Sequence, residues 1–310
     1  MPQYRKLRRK YSILELCRKP ELAAAVTLEP VQRLGVDAAI VFADILLPFE
    51  PLRLGLSFTP GEGPRIARPI ADPADVDRLP AFNVEAELGF VLDTLRYVRR
   101  ELSDDIALIG FAGGPFTLAS YAIEGGSSRT FTKTKRFMYQ APDTWHLLLN
   151  KLAEMVGKFL AAQARAGAQA VQLFDSWIGC LSPNDYRTYV QPHSRKALAL
   201  AQAANVPVIH FGTGTATFLE DFAAAGGDVI SIDWRIPLDA AWQRIGPRAI
   251  QGNLEPVALL APAAERTRQV RDILQRAAGR PGHIFNLGHG ILPETEVAAV
   301  RAVVDLVHGG

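Results

Sequence analysis

The stretch Ala39-Ile40-Val41-Phe42-Ala43-Asp44 is a short apolar run that ends on a carboxylate. A run of this length, followed by polar or glycine residues and then by a helical pattern, is typical of a buried strand in a βα unit. In proteins built from such units, functional side chains gather where the parallel strands end. The sequence therefore predicts a strand here, with chemistry at its tip.

Six similar runs follow, so the sequence predicts seven parallel strands. The regular alternation of strands and helices, without a linker or low-complexity segment, predicts a single domain over residues 1–310. Because a closed barrel of this class has eight strands, we expect an α/β (β/α)8 barrel that lacks its first strand, which would precede Met1. The other runs, each with the residues after it, are 106–111 with Gly113 and Gly114, 170–174 with Asp175 and Ser176, 206–209 with His210, 229–232 with Asp233, 249–250 with Gln251 to Asn253, and 283–285 with Asn286 to Gly290.

The composition argues against several classes of protein. The 310 residues are 48% hydrophobic and 21% charged with a net charge of +2, which indicates neither disorder nor a surface for nucleic acid or membrane. Cys17 and Cys180 are the only cysteines, so a disulfide scaffold or a cysteine-rich zinc site is not expected. The sequence predicts neither a transmembrane helix nor a signal peptide. We expect a cytoplasmic protein.

Four polar residues are candidates for chemistry. Asp44 fits a functional carboxylate beside apolar walls, but it also fits a helix N-cap or a loop salt bridge. Ser176 fits a site residue or the cap of the helix after it. Tyr121, on a predicted helix, fits a core tyrosine as well as a binding residue. His289 stands between two glycines, which let a ligand approach the backbone closely, although a single histidine can also be structural.

Other signals are weaker. His210 is expected to be a packed residue at the end of its strand. Gly212-Thr213-Gly214-Thr215 resembles a small phosphate-type loop. The motifs GxGxxG, GxxxxGK[ST], HExxH and CxxC are absent from the sequence, so nucleotide, P-loop and zinc sites lack their usual support.

Five short segments, taken together and in this order, resemble the signatures of the uroporphyrinogen decarboxylase family along essentially the whole chain. Each segment is brief, but their combination is specific. The segments are Met1-Pro2-Gln3-Tyr4-Arg5, Phe42-Ala43-Asp44, Gly113-Gly114-Pro115-Phe116-Thr117 with Tyr121, Gln172-Leu173-Phe174-Asp175-Ser176, and Asn286-Leu287-Gly288-His289-Gly290.

The resemblance implies a (β/α)8 barrel, usually a homodimer, that acts in tetrapyrrole biosynthesis. Such an enzyme removes carbon dioxide from the four acetate side chains of uroporphyrinogen III to give coproporphyrinogen III, without a cofactor or a metal. The resemblance also implies that Asp44 binds the pyrrole NH groups at the centre of the macrocycle. It implies that Tyr121, Ser176 and His289 contact the same substrate.

Asp44 then has a defined place in the reaction. Loss of carbon dioxide from an acetate arm needs an electron sink, and a pyrrole protonated on a ring carbon is one. An anionic Asp44 about 4 Å from this cation would stabilise it by roughly 4 kcal/mol at an effective dielectric of 20, which is about a thousandfold in rate. A proton-donor role would instead require its pKa to rise towards neutrality, so we favour the stabilising role.

The sequence departs from the family at its start. The arginine-containing segment that precedes the first signature has no counterpart here, which leaves recognition of the substrate carboxylates open. Arg5, Arg8 and Arg9 are nearby but do not occupy the matching positions.

Two other functions remain as alternatives. One is a zinc-dependent methyltransferase of the same superfamily, acting on corrinoid or thiol substrates. Such relatives carry a cysteine just after the histidine at the end of a strand in the middle of the barrel, whereas here His210 is followed by Phe211 and Gly212. The other is a barrel that binds a tetrapyrrole without catalysis.

Overall fold

The computed structural model of the protein describes residues 1–59 and 63–309. The strands are β1 (Ala38–Ile40), β2 (Leu56–Thr59), β3 (Gly63–Ile66), β4 (Ala107–Gly113), β5 (Ala170–Asp175), β6 (Val208–Gly212), β7 (Val229–Ser231), β8 (Ala249–Leu254) and β9 (His283–Leu287). Seven of them form one parallel sheet in the order β1-β4-β5-β6-β7-β8-β9. The seven predicted strands are confirmed. Strands β2 and β3 form an antiparallel pair in the connection after β1.

Helices connect successive strands of the sheet. None of the helices in the described part of the chain is long and apolar enough to cross a membrane. The α-helices are α1 (Pro2–Arg8), α2 (Ile13–Cys17), α3 (Pro20–Leu34), α4 (Pro73–Asp77), α5 (Val84–Glu87), α6 (Gly89–Glu101), α7 (Pro115–Glu124), α8 (Thr132–Gln140), α9 (Pro142–Arg165), α10 (Pro183–Asp185), α11 (Gln191–Gln202), α12 (Leu219–Ala224), α13 (Leu238–Ile245), α14 (Ala263–Ala277) and α15 (Val297–His308).

Several predicted strand boundaries are wrong, and two of them concern candidate residues. Strand β1 ends at Ile40, so Asp44 lies four residues beyond the strand instead of at its last position. Strand β6 starts at Val208, two residues later than predicted, and it continues to Gly212, so His210 lies inside it and not at its end. Pro207 explains the second shift, because a proline has no N–H to donate to a neighbouring strand. Pro207 bonds to the neighbouring strand through its carbonyl, which accepts a hydrogen bond from Val171 N at 3.0 Å.

The sheet is strongly curved, as a barrel wall would be. Gln251 on β8 donates from Nε2 to Gln172 Oε1 on β5 at 3.4 Å, although β6 and β7 lie between these strands. In a flat sheet three strand spacings would separate the two side chains by about 14 Å. The same amide donates to Ser231 Oγ on β7 at 2.9 Å, so that three strands share one buried polar contact on the concave side.

The two edge strands of the sheet are β1 and β9. Each exposes an isoleucine, and both Ile40 and Ile284 are 42% accessible. The helical layer is nevertheless continuous beside them, because α15 packs against α3. His308 at the end of α15 also lies 3.1 Å from the Asp37 carboxylate, directly before β1. The described residues therefore form an α/β structure with a curved, open, seven-stranded sheet.

Helix α7 shows how the local sequence places a candidate residue at the sheet edge. Pro115 occupies the first turn, where its missing N–H costs nothing, and Gly125 ends the helix in the left-handed conformation. Gly114, directly before the helix, packs so closely on Asp175 that a Cβ atom would lie 2.4 Å from its Cγ. This contact fixes the start of α7 against β5, and Tyr121 follows two turns later.

Candidate active site

Asp44 lies in the bend after β1 and is half-buried. Its Oδ1 accepts a hydrogen bond from Leu46 N at 2.8 Å, whereas Oδ2 has no partner within the described residues and is not sealed from solvent. Asp44 is therefore neither a helix N-cap nor a salt-bridge partner, the two structural alternatives of the sequence. Burial raises the pKa of Asp44, and the Leu46 N–H opposes this shift. Within residues 1–59 and 63–309, no cation compensates this carboxylate.

Tyr121 stacks on Trp177, with ring centroids 3.9 Å apart and an interplanar angle of 29°. Burial, followed by the negative charge of Asp44, raises the pKa of the Tyr121 phenol to about 12, while the Ser127 hydroxyl opposes this rise. Asp44 and Tyr121 are thus close enough to interact electrostatically. The phenol keeps its proton at neutral pH and can donate a hydrogen bond.

Ser176 follows β5 at the edge of the sheet. Its carbonyl accepts a hydrogen bond from Thr213 Oγ1 at 2.6 Å, and its own hydroxyl makes no hydrogen bond within the described residues. The capping alternative is not realised, because the short 3-10 helix at Ile178–Cys180 follows Trp177 without a side-chain cap. The Ser176 hydroxyl is free to bind a ligand.

Asp175, next to Ser176, is a positioning residue that the sequence reasoning missed. Its carboxyl is fully buried, and Oδ1 accepts from Thr117 N at 3.2 Å and from Thr117 Oγ1 at 2.8 Å. Thr117 Oγ1 in turn accepts from Trp177 N at 3.3 Å. Asp175 therefore holds α7, which carries Tyr121, against the segment that carries Ser176. Burial raises the pKa of Asp175 to about 6, against the opposing bonds from Thr117.

The loop after β6 makes hydrogen bonds to the segments that follow the two neighbouring strands, β5 and β7. Thr213 bonds to Ser176 as described, and Gly214 N donates to Asp233 Oδ2 at 2.7 Å. The sequence of this loop resembles a phosphate-binding loop, but the Gly214 amide already donates to a carboxylate. The resemblance therefore reflects a structural role of the loop.

His289 lies beyond β9 on the far side of the edge. Its ring meets Phe211 edge to face at a centroid distance of 6.2 Å, and Nδ1 accepts a hydrogen bond from Gly290 N at 2.6 Å. Burial and then the charge of Arg235 lower the pKa of His289, while Asp233 opposes them. The imidazole is therefore neutral at pH 7. With Nδ1 as the acceptor, Nε2 carries the proton and can donate.

Aromatic rings join these residues through the concave side of the sheet. Phe111, Phe174 and Phe211 lie on three successive strands, with centroids 5.4 and 5.2 Å apart, and His289 continues the row. This row reaches His289, whereas Tyr121 lies at the same edge through its stacking on Trp177, the residue after Ser176. No hydrogen bond joins Asp44 to Ser176 or His289 within the described residues.

The comparisons with known proteins identify the family. A family model described as "Uroporphyrinogen decarboxylase (URO-D)" matches residues 1–310. A relative named uroporphyrinogen decarboxylase from Sorangium cellulosum is 56% identical over 99% of this chain and 88% of its own length. Another with the same name, from Carboxydothermus hydrogenoformans, is 52% identical over the same shares. The chain belongs to the uroporphyrinogen decarboxylase family.

A structural neighbour agrees with this fold. A solved structure described as a methyltransferase from Methanosarcina mazei has a TM-score of 0.82 and covers 95% of this chain and 87% of its own, at 19% sequence identity. At this identity the likeness concerns the fold alone. The resemblance of the sequence to uroporphyrinogen decarboxylases is confirmed.

The zinc ligands of the methyltransferase alternative have no equivalent here. His210 is fully buried and stacks on Phe222 at 3.7 Å, and burial lowers the pKa of its imidazole to about 3. Cys17 is buried below the Asp44 bend, and burial raises the pKa of its thiol to about 12. No group of three or more His, Cys, Asp or Glu residues within 1–59 and 63–309 is placed to hold a metal ion.

For a uroporphyrinogen decarboxylase, the chemistry of this edge is suitable. Among the described residues it offers the partly accessible carboxylate of Asp44, which has no cation partner, and three neutral donors, namely Tyr121 Oη, Ser176 Oγ and His289 Nε2. Arg235, which the sequence reasoning also missed, adds a guanidinium beside His289. A basic residue two positions after the strand-tip Asp233 was the only sequence signal for it.

Proposed function

We propose that this chain removes carbon dioxide from the four acetate side chains of uroporphyrinogen, as a cofactor-independent carboxy-lyase of tetrapyrrole biosynthesis that yields coproporphyrinogen. The observation that carries this proposal is the state of Asp44 in a member of this family. It is a half-buried carboxylate at the carboxyl edge of a parallel sheet, and in the described part of the chain its Oδ2 has no partner and no cation lies beside it. A carboxylate of this kind suits a ligand that brings N–H groups or positive charge.

Asp44 acts at the centre of the substrate. Its Oδ2 accepts hydrogen bonds from the pyrrole N–H groups, and its charge stabilises the cation that forms when a pyrrole ring carbon is protonated. The C–C bond to the carboxylate then breaks, its electron pair neutralises the ring, and carbon dioxide leaves. A proton then adds to the exocyclic methylene carbon to complete the methyl group, and the proton first added to the ring carbon leaves, which restores the aromatic pyrrole. Burial raises the pKa of Asp44, which is the direction that a proton donor would need. We keep the stabilising role, because an anion with a single hydrogen bond and no cation partner among the described residues gains most when a cation appears.

Tyr121, Ser176 and His289 bind the periphery of the substrate. Each presents one neutral donor, and substrate carboxylates are acceptors only. Neutral donors suit a polyanion whose carboxylates must leave as carbon dioxide, because a fully charged site would hold the ionised arms of the ground state more tightly than the transition state.

Anaerobic incubation with uroporphyrinogen in the dark tests the proposal. The tetrapyrroles are then oxidised and separated by their number of carboxyl groups, and released carbon dioxide is measured. We expect stepwise conversion from eight carboxyl groups to four, unchanged by a chelator. Binding without release of carbon dioxide would instead identify a non-catalytic barrel. Methyl transfer that depends on zinc would support the methyltransferase alternative.

We also propose that an eighth strand lies between β1 and β9, which would complete a (β/α)8 barrel. Ile40 and Ile284 expose apolar surface on the two strands that flank this position. The helical layer already closes there through α3 and α15, including the contact between His308 and Asp37. Hydrogen exchange at β1 and β9, compared with that at β6, tests whether both edges are unpaired in solution. Exchange as slow as in β6 would support a strand between them, and faster exchange would indicate unpaired edges.

The remaining proposals concern assembly and location. We propose that the chain forms one domain over residues 1–310, because strands and helices alternate regularly along it. We also propose that it is cytoplasmic, because two cysteines suit a reducing compartment, and that it assembles as a homodimer, as the resemblance to the family implies. Sedimentation velocity at several protein concentrations distinguishes a monomer from a dimer.

A further inference from the structure

Arg235 is a cation at the carboxyl edge that the proposed mechanism does not use. It lies four residues beyond β7, and its side chain is 53% accessible. Its backbone N donates to Asp233 Oδ1 at 3.0 Å, and its Nη1 pairs with Oδ2 of the same carboxylate. These contacts hold the start of the side chain against a buried anchor, since Asp233 is 2% accessible.

The rest of the guanidinium is unoccupied. Nε and Nη2 make no hydrogen bond with any of the described residues, and together they form the planar edge that binds carboxylates in a bidentate way. The Arg235 guanidinium also lies over the Trp234 ring, 4.5 Å from its centroid, which restrains its orientation. Arg235 is therefore held in place with one binding edge open.

The position of Arg235 relies on close packing between the ends of β7 and β9. Gly288 lies so near Asp233 and Trp234 that a Cβ atom would be 2.9 Å from both the Asp233 Cα and the Trp234 N. This contact brings the residue after Gly288, His289, beside the guanidinium, whose charge acts on the imidazole. Arg235 and His289 thus lie on the same side of the carboxyl edge.

We propose that Arg235 binds a carboxylate arm of the substrate and sets the preference for highly carboxylated tetrapyrroles. This inference rests on the proposed function. The Nε/Nη2 edge takes the carboxylate, and His289 Nε2 supplies a neutral donor next to it. Arg235 also borders a cavity of about 310 Å³ towards α14, where the other two cations, Arg268 and Arg276, are both paired with acids on the same helix.

Steady-state kinetics of three variants test this role. Arg235→Gln removes the charge and the binding edge. Arg235→Lys keeps the charge but loses the planar Nε/Nη2 edge. Arg96→Gln is the matched control, because Arg96 is 56% accessible, pairs with one aspartate as Arg235 does, and lies on helix α6. We expect Arg235→Gln to raise KM for the eight-carboxylate substrate by about tenfold or more, with kcat within about threefold. Arg235→Lys should be intermediate, and the control unchanged.

Partly decarboxylated substrates show which kind of arm is bound. If Arg235 holds an acetate arm that the reaction removes, the effect on KM shrinks as acetates are lost. If it holds an arm that remains in the product, the effect is the same for every intermediate. Either result supports the proposal, and they assign different arms.

Binding of uroporphyrin, measured by its fluorescence, keeps this test independent of turnover. If wild-type protein binds the porphyrin without turning over uroporphyrinogen, the decarboxylase proposal fails while Arg235 is still tested by the loss of affinity in Arg235→Gln. Equal affinity and KM in wild type and Arg235→Gln, with unchanged Tm, would overturn the inference. So would an equal loss in Arg96→Gln. If Arg235→Gln does not fold, a wild-type KM for Arg235→Lys would have the same consequence.

Discussion

Asp44 and Asp233 occupy corresponding places beyond strands β1 and β7, yet their surroundings are opposite. Asp233 is buried and accepts hydrogen bonds from Gly214 N and from Arg235, so its charge is compensated within the protein. Asp44 is half-buried and accepts a single bond from Leu46 N, with no cation near it. Asp233 organises the edge of the sheet, and Asp44 is the carboxylate that we propose binds the substrate.

The difference shows that the charge of Asp44 lowers the stability of the folded protein. Burial raises the pKa of Asp44, which means that the folded protein disfavours the charge at neutral pH. An interaction with the substrate can offset that cost. An ion pair within the protein would have offset it already, so that the carboxylate would gain less free energy from binding the substrate. A carboxylate that is partly accessible and has no cation partner, such as Asp44, therefore suits ligand binding, whereas the enclosed carboxylates of Asp175 and Asp233 hold neighbouring segments together.

The largest expected effect is that of Asp44→Asn on turnover. We expect kcat to fall by about a thousandfold, from loss of roughly 4 kcal/mol of cation stabilisation. Tm should stay the same or rise, because the amide keeps the bond from Leu46 N and removes a disfavoured charge. Single-turnover decarboxylation and thermal unfolding measure the two quantities. Near-normal turnover would exclude Asp44 from the mechanism.

Asp175 provides a third strand-tip carboxylate, buried but without a cation. Its pKa in the folded protein, about 6, lies above the ordinary value of 3.8. The folded state therefore holds the proton more tightly, and stability falls as pH rises from about 4 to about 6. We expect Asp175→Asn to remove this slope and to gain up to about 3 kcal/mol over wild type above pH 6, less any loss in the bonds to Thr117. Urea unfolding between pH 4 and pH 8 measures the difference, and parallel profiles would contradict it.

Asp233→Asn should lower the stability and change kcat little, whereas Asp44→Asn should lower kcat and leave the stability unchanged or higher. The amide places a donor where Gly214 N and Arg235 also donate, so we expect the free energy of unfolding to fall by about 2 kcal/mol. KM should rise, because Arg235 loses its anchor, while kcat per folded molecule changes little. Chemical denaturation and steady-state kinetics test both points. A fall in kcat comparable to that of Asp44→Asn would remove the distinction between the two aspartates.

Tyr121→Phe should have the smallest effect. The ring keeps its stacking on Trp177, so Tm should not change, and only one neutral donor is lost. We expect kcat/KM to fall by about tenfold. Tyr97→Phe on α6, away from the carboxyl edge, is the matched control and should match wild type. A loss of stability in Tyr121→Phe would indicate a core role for the hydroxyl instead.

Much of the architecture followed from local pattern. Each of the seven apolar runs became a strand of the parallel sheet, and Pro115 and Gly125 delimit α7. Boundaries were less secure, since β1 stops at Ile40 and β6 begins after Pro207. An apolar side chain fits a strand and the loop after it equally well, so hydrophobicity alone does not mark where pairing stops.

The sequence by itself determined the order of the strands, the family, and which carboxylates stand near strand ends. Only the tertiary structure decided which of these carboxylates is compensated. The partners of Asp233 come from another loop and from a side chain that folds back, and those of Asp175 come from α7. Charge compensation depends on distance and on the exclusion of water, and both arise only when separate strands meet at one edge.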